Sequence, residues 1–159
     1  MTWRLPRARF EKGKGAGNRA AFRRRVRSGL PPGLLAYIDG TPVGWCAVAP
    51  RAEYEYLARS RVLRPIDDRI VWSVSCLFVA KPYRRHGISV KLLRAAVEMA
   101  GKVGAEIVEG YPVVPYVSRM PDAFAWTGTL SAFRAAGFDE VARGSPKRPI
   151  VRATTRATR

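Results

Sequence analysis

The sequence predicts a single mixed α/β (α+β) domain. Three observations carry that expectation. The 159 residues suit one domain, with 47% hydrophobic residues to build a core. Apolar spacing switches along the chain between strand-like and helix-like periods. One junction, Phe78 to Ala100, passes from a β-branched run through a basic turn into a helical pattern.

Met1 to Arg19 reads as irregular, with "KGKGAG" as a flexible stretch. Asn18 is expected to cap a short helix through Ala20, Phe22 and Val26, stopped by Ser28-Gly29 and Pro31-Pro32. "GLLAYIDGTPVGWCAVAP" reads as a β-hairpin, because Asp39-Gly40 is a strong two-residue turn between apolar runs. Arg51 to Pro65 is polar and predicts a helical turn and a loop. Arg69 to Ala80, rich in β-branched and aromatic residues, predicts a strand. Ser89 to Val103 predicts a helix, because Ile88, Leu92, Leu93, Ala96, Met99, Ala100 and Val103 recur at helical spacing, with Gly104 as its stop. "AEIVEGYPVV" predicts a further strand ended by Pro112 and Pro115, and "GTLSAFRAAGF" a short helix closed by Gly137. "FDEVARG" and "RPIVRA" supply two last strands. Residues 1-32 read as a short basic segment ahead of a domain spanning 33-159.

The net charge of +17, mostly arginine, attracts polyanions: nucleic acid, acidic proteins or a phosphorylated cofactor. A dispersed, solvated arginine surface explains the charge equally well. No apolar run reaches the ~18 residues of a membrane helix. The charged N-terminus has no signal-peptide core, which points to a soluble, cytoplasmic protein. Cys46 and Cys76 lie in apolar runs and read as buried thiols in a reducing compartment. With one histidine, they argue against a metal site.

The junction at Phe78 carries the chemistry. The first N–H groups of a helix lack internal acceptors, and the helix dipole makes them an anion site. Gly87 lets backbone approach an anion, Ser89 can cap the helix, and Arg84 and Arg85 add charge. The stretch fits neither the Walker pattern nor the dinucleotide fingerprint. It predicts a phosphorylated ligand at a strand–helix turn.

"LFVAKPYRRHGISVKLL" resembles the acetyl-CoA motif of the GCN5-related N-acetyltransferases (GNAT), Arg/Gln-x-x-Gly-x-Gly/Ala after a Val-x-x-x-Tyr-Arg stretch. Arg84, Gly87 and Ser89 fill its positions, with serine a mild departure. The order of elements from Gly33 to Arg152 resembles the family too. "EGYP" and "FAWTGTLSAFRAAGF" resemble a bacterial subgroup without an assigned substrate. The resemblance implies a mixed, mostly antiparallel twisted sheet flanked by helices, with a splay between two central parallel strands. It implies acetyl-CoA as acyl donor, with the backbone of Leu77, Phe78 and Val79 on the pantetheine and acetyl carbonyl. The N–H groups of Arg85, His86, Gly87, Ile88, Ser89 and Val90 would wrap the diphosphate.

Many family members carry a tyrosine, as acid for the leaving thiolate, where this chain has Phe133, which is counted among the cofactor-binding residues, and an asparagine where it has Trp126. The N-terminal part is shorter than is usual in the family. Glu109 is the candidate base, with pairing to an arginine as its competing role, and Ser75 is the alternative relay through water, with plain outward alternation on its strand as its competing role. His86 is assigned to the diphosphate turn rather than to base catalysis. Trp72, Tyr54, Tyr56 and Tyr111 are candidates to line an acceptor pocket, with core packing as the alternative for each. The expected function is N-acetyl transfer from acetyl-CoA to a small or peptide amine by direct attack. The alternative is a catalytically impaired member of the fold that uses its basic surface on nucleic acid or the ribosome. The sequence leaves the oligomeric state open; the resemblance implies a homodimer as one option, because late strands in the family often pair between subunits.

Overall fold

A computed structural model describes residues 2–29, 31–114 and 125–155. Six strands form one sheet: β1 (Gly33–Ile38), β2 (Thr41–Pro50), β3 (Trp72–Val79), β4 (Ile107–Gly110), β5 (Asp139–Ser145) and β6 (Arg148–Thr154). Their spatial order is β1-β2-β3-β4-β6-β5. Four neighbouring pairs are antiparallel, and β3 with β4 is the parallel pair. Among the described residues, five α-helices accompany the sheet: α1 (Arg7–Lys12), α2 (Ala16–Arg27), α3 (Glu55–Arg59), α4 (Ile88–Lys102) and α5 (Leu130–Ala135).

The expected hairpin is β1–β2. Its turn residues, Asp39 (φ 47°) and Gly40 (φ 74°), are both left-handed, as a tight two-residue turn requires. α4 lays Leu92, Leu93, Ala96 and Ala100 on one face of the sheet, against Val43, Val48, Val74, Val108 and Val151. A second core on the opposite face gathers Trp3, Ala49, Tyr54, Leu57, Leu63, Tyr111 and Ile150.

The N-terminal region departs from expectation. Met1 to Arg19, read as irregular, contains α1 and the start of α2. α2 begins at Ala16 behind Gly15, so Asn18 lies within the helix and caps nothing there. Its side-chain amide instead donates to the Phe10 carbonyl at 2.8 Å and ties α2 to α1. Trp3 and Arg4 are buried, and Trp3 joins the second core. Pro115, expected to end the fourth strand, lies outside the described residues, as does the end of the basic C-terminus.

β3 and β4 pair over only three positions: Trp72 with Val108, Ser73 with Glu109 and Val74 with Gly110. β3 then runs on toward Val79 without β4, still paired with β2. The chain after β4 pairs elsewhere: the Val113 N–H donates to the Gly128 carbonyl (2.9 Å) and the Leu130 N–H to the Val113 carbonyl (3.1 Å). The Phe133 ring fills the angle between the diverging strands. A Cβ at Gly110 would lie 2.1 Å from it and one at Gly128 2.8 Å, so both positions exclude a side chain. The splay is therefore a packed feature, wedged open by an aromatic ring.

Candidate active site

The basic turn delivers α4 with its first amides open. Lys81–Tyr83 forms one 3-10 turn, then Arg85 (φ 65°) and Gly87 (φ 73°) both adopt left-handed backbone. Positive φ is costly for arginine, and such strain clusters at ligand sites. Among the described residues, the N–H groups of Arg85, His86, Gly87, Ile88, Ser89 and Val90 have no backbone acceptor, and the first i→i−4 bond runs from Lys91 to Gly87. No side chain caps the helix; the cap position is Gly87, so Ser89 lies inside the helix instead of capping it.

Beside this turn a cavity of about 460 Å³ is lined by Leu77, Phe78, Val79, Arg84 and Ser89 on one side and Ala125, Trp126, Gly128, Thr129 and Ala132 on the other. The Arg84 guanidinium reaches back to the Val79 carbonyl at 2.8 Å. The Leu77 N–H points away from β2 and donates to the Trp126 carbonyl at 2.7 Å. Strand alternation then turns the Phe78 N–H toward β2, so Phe78 offers the groove its exposed ring rather than its amide. Phe133 is fully buried, edge-on to Phe138 with centroids 5.0 Å apart. It acts as the wedge under the groove instead of lining it.

A second cavity, about 410 Å³, opens on the sheet face opposite α4. Thr2, Trp3, Arg4, Asn18, Arg19, Phe22, Trp45, Tyr54, Ser75, Cys76 and Trp126 surround it. Trp126 is common to both cavities. Ser75 and Cys76 are consecutive yet both line it, which a regular strand forbids. The register explains this: Val48 pairs with Val74 and Ala47 with Cys76, leaving Ser75 as the extra residue of a β-bulge. The Ser75 hydroxyl interacts with the Tyr54 phenol, which also receives Arg4 Nη2 at 3.2 Å. Burial pushes the Tyr54 phenol up, against the pull of the Arg4 charge. Cys46, fully buried, is likewise pushed up by burial and by its neighbour Cys76.

Glu109, the candidate base, sits in neither cavity. It is 1% exposed, and both oxygens are engaged. Arg51 Nη1 (2.7 Å) and the Tyr111 hydroxyl (2.6 Å) donate to Oε1, and Arg152 Nε (2.8 Å) donates to Oε2. Ser73 bonds the Tyr111 hydroxyl at 2.8 Å, and Arg152 also grips Asp67 with both terminal nitrogens. Buried, held by two guanidiniums and a phenol, and outside both cavities, this carboxylate is out of reach of an incoming amine. This geometry gives Glu109 a structural role, and the competing arginine-pairing reading describes it. Of the aromatic candidates, only Tyr54 lines the second cavity. Tyr111 belongs to the Glu109 network, Trp72 packs toward α4, and Tyr56 stacks on Trp3 with centroids 4.9 Å apart. Sequence reading missed the contributions of Trp3, Arg4, Phe22 and Trp45, because no local pattern shows that the N-terminal helices fold over β2 and β3.

Comparison with known proteins now places the chain. The profile of the acetyltransferase (GNAT) family matches residues 2–112, and the chain belongs to that family. The family uses acetyl-CoA as its acyl donor. Among solved structures, the ribosomal-protein-alanine N-acetyltransferase of Brucella melitensis is 20% identical with a TM-score of 0.56, covering 86% of this chain and 76% of that one. A GNAT-family acetyltransferase of Streptococcus pneumoniae is 13% identical with a TM-score of 0.54, covering 89% and 77%. yncA of Salmonella typhimurium, determined with its cofactor acetyl-CoA, is 15% identical with a TM-score of 0.54, covering 87% and 73%. These likenesses establish the fold. No curated protein sequence matches the chain significantly. No helix among the described residues is long and apolar enough to cross a membrane.

Proposed function

We propose that this chain is an acetyl-CoA-dependent N-acetyltransferase that acts on an amine acceptor by direct attack. The observation that carries the reading is the row of unpartnered amides from Arg85 to Val90 at the mouth of a groove running along Leu77 and Val79. Those amides and the α4 dipole suit a diphosphate, and the site fits the group. Arg84 and Arg85 supply charge, the Leu77 and Val79 backbone the groove wall, and Phe78 an apolar surface. Acetyl-CoA, when bound, supplies the acetyl group as an activated thioester.

The second cavity is the acceptor site, since it reaches Ser75 and Cys76 from the other side of the splay. There the acceptor nitrogen forms the C–N bond as the C–S bond breaks. An ammonium acceptor gives one proton to solvent before attack, and its second passes from nitrogen to sulfur. Ser75 and Tyr54 are the hydroxyls placed to relay a proton. Phe133 offers none, so the leaving sulfur takes the proton that the acceptor nitrogen releases, passed through solvent, which a thiol with an ordinary pKa of about 8.5 permits.

Acetyl-CoA should raise the melting temperature, and an amine panel should give acceptor-dependent thiol release. Absence of stabilisation at millimolar acetyl-CoA would remove the reading. A binding-module reading draws on α2, whose exposed Arg19, Arg23, Arg24 and Arg27 stand with no acidic residue on the same helix. It predicts nucleic-acid binding that falls steeply with salt, and no thiol release with any amine.

A further inference from the structure

We propose that the cavity beside Ser75 takes an amine that also carries a carboxylate, on an apolar or aromatic body. The inference rests on the acyl-transfer reading and adds the substrate class.

The lining carries two guanidiniums, Arg4 and Arg19, and no carboxylate or imidazole. Glu53, behind Arg4, is shared between Arg4 and Arg25, so two cations face one acid. Arg4 is buried, and its terminal nitrogens are spent on Glu53, the Pro32 carbonyl and the Tyr54 hydroxyl. It therefore fixes the pocket and contributes field. Arg19 is different: it is exposed at the rim on α2 and has no acidic partner among the described residues. A guanidinium in that position suits bidentate capture of a carboxylate.

The walls set the rest of the ligand. Phe22 meets Trp45 edge-on at 5.9 Å, and Trp3 meets Trp126 edge-on at 5.3 Å. The volume of about 410 Å³ lies within the range of small-molecule sites. A polyamine or lysine-rich peptide would bring further ammonium groups among these guanidiniums without a counter-charge. The same field favours the neutral form of the reacting amine, because neighbouring positive charge disfavours ammonium. That removes the need for a carboxylate base, which the cavity lacks.

Calorimetry on the CoA-saturated protein compares N-acetylphenylalanine with N-acetylphenethylamine, the same body without the carboxylate. The expected result is about tenfold tighter binding of the carboxylate, with Arg19→Gln bringing the ratio to within about threefold of unity. Equal affinity, the reverse preference, an unaltered ratio in Arg19→Gln, or no binding of either compound at about 10 mM would overturn the proposal. The preceding CoA titration reports separately on acyl transfer. Failure there removes that reading and this one with it, whereas normal CoA binding without a carboxylate preference removes only this one.

Discussion

The two halves of β3 differ in how their polar groups are used. The first half, Trp72 to Val74, is paired on both sides, and Ser73 leads into a closed network of Tyr111, Glu109, Arg51, Arg152 and Asp67. Both oxygens of Glu109 and of Asp67 have a donor there. The second half, Leu77 to Val79, has lost β4, faces a groove, and leads to amides with no acceptor. The same strand thus carries a satisfied end and an open end. Buried satisfied groups hold structure, and open groups at a cavity await a ligand.

The sharpest break of this comparison is Glu109→Ala. Removing one partner of a buried ion pair leaves uncompensated charge and costs about 3–5 kcal/mol. At roughly 2–4 °C per kcal/mol, differential scanning calorimetry should show a melting drop on the order of 10 °C, with CoA affinity in the remaining folded protein little changed. A variant that melts normally but loses turnover would return Glu109 to catalysis.

Phe133→Tyr comes next. The ring is fully buried against Gly110 and Gly128, so an added hydroxyl has no space and no described partner. Chemical denaturation should show a loss of about 1–3 kcal/mol, and thiol release should not accelerate.

A smaller effect is optical. The Leu77 N–H is held by the Trp126 carbonyl, and Trp126 lines both cavities. Pantetheine bonding to Leu77 requires that contact to open, so CoA should change tryptophan fluorescence, and Trp126→Phe should remove most of the change.

The smallest effect belongs to the exposed rim of the closed network. The Arg152 hydrogen bonds hold the Asp67 carboxyl below its usual range. A depressed folded pKa means stability that is present above the ordinary carboxylate value, about 3.9, and is lost as pH falls through the folded value. Asp67→Asn should flatten that acid limb slightly in denaturation curves collected between about pH 5 and 2.

Local signals made much of this legible in the sequence. Asp39-Gly40 specifies its turn by backbone chemistry, α4 by its apolar face, and the basic turn by glycine and arginine at a strand–helix junction. What stayed hidden depends on distant partners. Glu109 reads as a base or as some arginine's partner until Arg51 and Arg152 arrive from other elements. Phe133 reads as a groove residue until Gly110 and Gly128 admit its ring beneath the groove. Ser75 reads as an alternating strand residue until the register with β2 exposes its bulge. Asn18 looks like a cap because the tie to Phe10 is invisible locally.

The central claim is that the open amides of the α4 turn receive the diphosphate of the acyl donor. Amide NMR during titration with CoA, and separately with pantetheine, tests it most directly. The account predicts large shifts at Arg85 through Val90 with CoA, none there with pantetheine, and much weaker pantetheine binding. Unmoved amides at saturating CoA, or equal affinity for the two compounds, would contradict it.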